Sequence, residues 1–368
     1  MFPSRYFPNR YFPSRYFANV GAGATAFIPD FYFEHSTNIY ISKAPNASAN
    51  ATNTVRLKVK DFSYNQSSRT VGVSRDTLNP TQERTPTPHI SAINPVTFTF
   101  VTYVLPLVDT NVTSPEEYLW TSLMGADTIE GSPNSTPTSS TIDFADGNVA
   151  ELQNLTIWFD QPLQTQGNYR LDNCIVDSAD FKFDINGIAE ISWSGRALSI
   201  TEFNTLPSST NRTTVTNYIK NKPSTITLNM NSINYTVALT GGNIRFDNKN
   251  TFYSRNKLGQ TTVPVGHYTG NREVKGTLDF YMKSGTNKTV ELFNALLNNI
   301  TNTDYETTHE ALITIDIGGA TSTPRIRFTL PQALLELPRQ NFGGLYKISV
   351  PFRAKEQTGS YNTVIYTA

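Results

Sequence analysis

The chain has 368 residues, with 30 basic against 30 acidic side chains and only 16% of residues charged. That length allows two ordinary domains with cores that need no staples, and the balanced charge argues against a protein that grips nucleic acid through its phosphates, which needs a basic surplus. A single cysteine, Cys174, excludes an intrachain disulfide and a cysteine-based metal site and reads as a small core residue.

The first residues read MFPSRYFPNRYFPSRYF, in which Tyr-Phe-Pro-x-Arg recurs every five residues. Five matches neither the 3.6 period of a helix nor the 2 of a strand, and the proline in each copy cannot donate a backbone hydrogen bond. Proline and arginine also interrupt any secretory apolar run, and no apolar stretch reaches membrane-spanning length. The expectation is a protein made in a reducing cytoplasm, with no membrane association. Residues 1–36 read as an extended arm, in which Phe2, Arg5, Tyr6, Phe7, Arg10, Tyr11, Phe12, Arg15, Tyr16 and Phe17 lie along an adjacent subunit. Aromatics and Arg are the residues enriched at interface cores, and proline keeps such a strip extended at low entropic cost. The competing reading is a disordered, low-complexity tail.

Beyond the arm, 18 Tyr, 22 Phe and abundant β-branched residues lean toward strand. A polar loop, KAPNASANATNT from Lys43, is followed by a strand pattern, TFTFVTYVL from Thr97. Next comes a short helix, SPEEYLWTSLMG, with Ser114 as N-cap, Pro115 at the first helical position and Glu117 closing a capping box. After a second polar loop, EGSPNSTPTSST from Glu130, two strands follow, NLTIWFD and ADFKFDI. Phe181, Phe183 and Ile185 alternate there with Asp180, Lys182 and Asp184. Asn186-Gly187 then signals a two-residue hairpin, and GIAEISWSGRA closes the unit from Gly187.

The order then recurs. VKGTLDFYM from Val274 precedes a helix, NKTVELFNALLNNI, capped by Asn287 or Thr289. ALITIDI, PRIRFTL and a closing GLYKISVPFRA from Gly344 follow. The two closing segments align without a gap, as Gly, apolar, two variable residues, Ile-Ser, apolar, two variable residues, Arg-Ala. Gly187, Ile191 and Arg196 therefore correspond to Gly344, Ile348 and Arg353. The fold class is all-β with minor α, as two tandem antiparallel β-sandwich or barrel domains with one short helix each. The division is an arm at 1–36, a first β domain at 37–203, a linker at 204–221, a second β domain at 222–357 and a C-terminal tail at 358–368.

No constellation of catalytic groups emerges, and neither a cofactor nor a metal is expected. His35, His89, His267 and His309 stand apart, with no metal-ligand neighbour at helical or hairpin spacing. Glu310 and Asp316, and the run Asp172, Asp177, Asp180 and Asp184, read as the solvated faces of strands. Gly241-Gly242, Gly318-Gly319 and Gly343-Gly344 read as turns.

This order of a strand, a short amphipathic helix, two strands and a closing GLYKISVPFRAKEQ resembles the tail tube fold of long-tailed bacteriophages. The resemblance is clearest over 225–357 and is carried to 55–197 by the repeat. It implies a structural virion protein, not an enzyme, assembled in the host cytoplasm into stacked rings whose continuous β-barrel lumen conducts DNA during ejection. Family members are mostly single domains, six to a ring. Two domains per chain imply a homotrimeric, pseudo-sixfold ring, with a hexamer as the alternative. The implied partners are further copies of the chain, a tape-measure protein and DNA in the lumen, and sheath, neck or terminator proteins. Two other readings stand beside it: a trimeric distal tail hub with paired tube domains, and a glycan-binding adhesin suggested by Trp120, Trp158 and Trp193.

Overall fold

The computed structural model describes residues 37–367 apart from 44–48, 51–52, 74–86, 106–115, 126–138, 145–151, 162–166, 207–217, 223, 254–265, 302–309, 320–325, 342–343 and 357–360. The first half runs through β1 (Asn38–Ser42), β2 (Thr54–Leu57), β3 (Val59–Asn65), β4 (Ser68–Val73), β5 (Thr87–Ile93) and β6 (Val96–Tyr103) to α1 (Glu117–Met124). It continues with β7 (Ser139–Asp143), β8 (Leu155–Asp160), the long β9 (Tyr169–Asp184), β10 (Glu190–Ala197) and β11 (Ser199–Glu202). The second half comprises β12 (Thr225–Met230), β13 (Ile233–Tyr235), β14 (Ala238–Asp247), β15 (Thr251–Tyr253), β16 (Gly266–Tyr268) and β17 (Glu273–Tyr281). After α2 (Thr289–Thr301) it ends with β18 (Glu310–Ile317), β19 (Ile326–Leu335), β20 (Arg339–Asn341), β21 (Lys347–Lys355) and β22 (Thr363–Thr367).

The protein is thus mostly antiparallel sheet with two short helices among the described residues. Period-2 alternation places the strands. Val96, Phe98 and Phe100 of β6 are buried while Thr97 and Thr99 are exposed, and Ile191, Trp193 and Ala197 of β10 point the same way. Hydrogen-bonded neighbours in the first half run β2-β1-β8-β9-β10-β6-β3. In the second half they run β13-β12-β18-β19-β21-β17-β14. Strand for strand, the two series follow the same chain order.

The halves share one core. Trp120 of α1 lies edge-on to Trp193 (5.0 Å between ring centroids) and to Phe246 of β14 (5.7 Å). Phe181 of β9 meets Phe328 of β19 at 4.6 Å. β22, from the segment assigned above as a tail, pairs with β19 on one side and with β7 of the first half on the other. The Trp120 indole donates to the Tyr366 hydroxyl at 3.0 Å inside this core. Trp120, Trp158 and Trp193 are all at most 1% exposed, so none is a sugar platform.

Several local expectations are corrected. α1 begins at Glu117 with Glu116, not Ser114, at the N-cap position, and the expected Ser114 and Pro115 lie outside the described residues. α2 starts at Thr289, and its first turn is closed from within, the Glu291 carboxylate accepting from the Asn287 amide at 2.6 Å. β9 ends at Asp184, and Ile185 stands 48% exposed in a connection that runs to Ala189, not in a two-residue turn. The Asp184 carboxylate accepts the Asn186 amide there at 2.8 Å and stops the strand early. Asp316 is buried and ion-paired to Arg327, not solvated.

Candidate subunit interface

Four strands from each half join into one sheet, in the order β3-β6-β10-β9-β14-β17-β21-β20. One face packs on the shared core. The other carries Thr97, Thr99, Glu190, Ser192, Asp180, Lys182, Arg245, Lys275 and Arg353, none of them fully buried. Opposite charges lie side by side on it. Lys60 reaches Glu190 (3.1 Å), Arg245 reaches Asp247 (3.3 Å), and Lys275 and Lys249 both reach Glu273 (3.0 and 3.1 Å). Hydrogen bonds from Lys275 and Lys249 hold the Glu273 carboxyl below the usual carboxylate range. Each pair is partly exposed and contributes little stability. Their sum is a face with no large field of one sign.

The seam of this sheet is β9 against β14. Asp180 faces Arg245, Phe181 faces Ile244 and Lys182 faces Asn243, with Gly241 and Gly242 opposite Asp184 and Phe183. The glycine pair, expected as a turn, lies inside β14. A Cβ on Gly242 would come within 2.3 Å of the Thr277 carbonyl oxygen, and one on Gly241 within 3.0 Å of the Phe183 carbonyl, so close approach of backbones is the reason for glycine.

Arg272 is largely buried against the first half. Its guanidinium donates to the Met124 carbonyl at the end of α1 (3.1 Å), to the Phe144 carbonyl (3.3 Å) and to Asn248 Oδ1 (3.0 Å), and it lies 4.8 Å over the Phe144 ring. A cation at a helix C-terminus meets the negative end of the dipole. Asn250 donates to the Asp177 carboxylate at 2.8 Å. Burial pushes the Asp177 carboxyl up, against the pull of Arg196, whose Nε lies 2.8 Å away.

The signature residues divide by role. Ile191 and Ile348 are buried. Arg196 and Arg353 point to the polar face, the first held by Asp177 over the Phe252 ring (5.8 Å), the second by Glu336 (3.1 Å). Gly344 takes a positive φ of 70°, whereas Gly187 is packed so that a Cβ would lie 2.7 Å from Asp184 Oδ1. The arm residues Phe2 to Phe17 lie outside the described residues, as do His35 and His309. His267 accepts the Leu152 amide at 3.4 Å, and no cluster of metal-ligating side chains exists among the described residues.

One pattern escaped sequence reasoning. Gly195 of β10 faces Phe98 of β6, and in the second half Gly276 of β17 faces Phe352 of β21. In equivalent positions the glycine and the phenylalanine have exchanged strands. A Cβ on Gly195 would lie 2.3 Å from the Phe98 ring, and one on Gly276 2.8 Å from the Phe352 ring. Aligning the strands before each helix against the closing strands would have exposed the exchange.

Both outer strands of the eight-stranded sheet are open among the described residues. Among the described strands, β3 pairs with β6 and no other, and β20 pairs with β21 and no other. Unpaired ladders of this kind are templates for another strand.

No protein family model matches the chain. Over 340 residues, 87% of this chain and 71% of the relative, it is 25% identical to the tail tube protein pb6 of Escherichia phage T5.

Proposed function

We propose that this chain is a structural subunit of a phage tail tube, three copies closing one ring and rings stacking into the tube. The resemblance read in the sequence is borne out by similarity to a tail tube protein along most of the chain and by an all-β fold with two short helices. The protein is a virion component. The observation that carries the ring is the eight-stranded sheet, whose two open edges come from opposite halves. Strands that pair the same way at each junction form a closed, head-to-tail assembly, and closure removes the edges.

In this reading each half is one of six pseudo-equivalent units, the described repeat order supporting the tandem duplication. The polar face lines the bore. Its ion pairs leave few unpaired cations to hold phosphates, so DNA passes without adhering. A tape-measure protein occupies the lumen before DNA does. The arm, residues 1–36, lies along a neighbouring subunit.

Negative-stain images of the purified protein test the reading. Threefold or pseudo-sixfold rings that stack into tubes are expected. Isolated rings without stacking would point to a distal hub, and discrete monomeric particles at assembly concentration would overturn it.

A further inference from the structure

The seam between the halves is a template. β3 and β14 occupy the same place in their series, β3 on β6 and β14 on β17, with one extra residue looped out at adjacent positions, between Lys60 and Phe62 and between Leu239 and Gly241. Through the cross-strand partners Thr97 and Lys275, which face Arg196 and Arg353, Ser63, Tyr64 and Asn65 correspond to Asn243, Ile244 and Arg245. β20 likewise occupies the place of the outer part of β9. Arg339, Gln340 and Asn341 face Ser349, Ile348 and Lys347, as Asp180, Phe181 and Lys182 face Ser192, Ile191 and Glu190. Within the chain β14 pairs with β9. Its counterpart β3 and the counterpart of β9's outer part, β20, are the two strands of this eight-stranded sheet that lack a second partner among the described strands.

We propose that β3 of one copy pairs antiparallel with β20 of the next in the register of the in-chain seam, so that Ser63 faces Asn341, Tyr64 faces Gln340 and Asn65 faces Arg339. This rests on the reading of the chain as a ring-forming subunit and assigns the residues that close the ring. Side-chain character agrees. Tyr64 is half-buried against Phe159 (4.8 Å) on the core side, where Ile244 lies at the in-chain seam, while Ser63 and Asn65 are exposed on the polar face, as Asn243 and Arg245 are directed. The β4–β5 hairpin extends the contact. Its counterpart β15–β16 lies on the first half, with Phe252 beneath Arg196 and His267 at Leu152. The counterpart of Arg196 is Arg353, 64% exposed. β4–β5, with Ile90 66% and Val71 38% exposed, covers that arginine in the next copy.

Paired cysteines test the register. Cys174 is fully buried, so it does not compete. The full chain carrying Ser63→Cys and Asn341→Cys, assembled and then oxidised, is expected to give a reducible ladder of linked copies ending at the ring's copy number. Ser63→Cys with Arg339→Cys, two residues out of register and beyond disulfide reach, is expected to give none. The chain carrying Lys182→Cys and Asn243→Cys reports whether the seam geometry closes a disulfide. Density averaged from the rings reads the register directly, whatever the disulfides do. Rings in which β3 meets β20 in another register, or meets a different strand, overturn the inference while leaving the ring intact. Absence of rings overturns the reading beneath it.

Discussion

Gly195 and Gly276 show why a β-sheet core has a memory of its partners. Each occupies a cross-strand position already filled by a phenylalanine ring from its neighbour, Phe98 in one half and Phe352 in the other. An alanine at Gly195 places its Cβ 2.3 Å from both the Ile175 carbonyl oxygen and the Phe98 ring. Overpacking of this kind costs about 1–3 kcal/mol. Gly195→Ala is therefore expected to lower the unfolding free energy by that amount, read from the shift of the denaturant midpoint multiplied by the m value. The double variant Phe98→Gly with Gly195→Phe, which copies the other half's arrangement, is expected to be more stable than the sum of its single changes by about 0.5–3 kcal/mol. Strict additivity in that cycle would show that the exchange carries no packing logic.

Asp177 lies at the same scale. Its folded carboxyl is raised by burial, so ionising it costs stability at neutral pH, and the cost is relieved as pH falls through the folded value toward the unfolded one. The stability difference between the protein and Asp177→Asn should therefore shift in favour of the unmodified chain as pH drops from neutral into the carboxylate range. Denaturant unfolding at a series of pH values measures it. An opposite slope would mean that Arg196 and Asn250 dominate the site.

At the scale of elements, period-2 patterning was the reliable signal, because a half-buried strand writes its buried face into alternate letters. β6, β10, β19 and β21 could all be read that way. Boundaries were less legible. β9 runs 16 residues because its first part pairs with β8 and β11 and its last with β10 and β14, and no local sequence rule announces a change of partner. The helix caps were misread for a related reason. Ser114 has the chemistry of an N-cap, but α1 starts at Glu117, where seven of its eight residues become buried. Packing of the helix on the sheet overrides the local preference.

For the whole molecule, the two halves are packed together. Arg272, β22 and the aromatic cluster of Trp120, Phe246 and Phe328 tie them into one core. Rigid fusion of this kind holds the in-chain seam at one angle, which is what a ring of repeated junctions needs. The arm belongs to this scale too. If Tyr6, Phe7, Tyr11 and Phe12 fill notches on a neighbour, removing residues 1–20 should weaken tubes, seen as a higher assembly concentration by light scattering, while leaving the unfolding midpoint of the single chain unchanged. Tubes of unaltered stability would assign the arm elsewhere.

Strand alternation and the duplication of element order were present in the letters, because hydrophobic periodicity and repeated spacing are local properties of a chain. Which strands meet across the seam, which edges stay open and why two glycines and two phenylalanines trade places were decided by tertiary structure. Those are facts about residues far apart in sequence, brought within a few ångströms by one shared core.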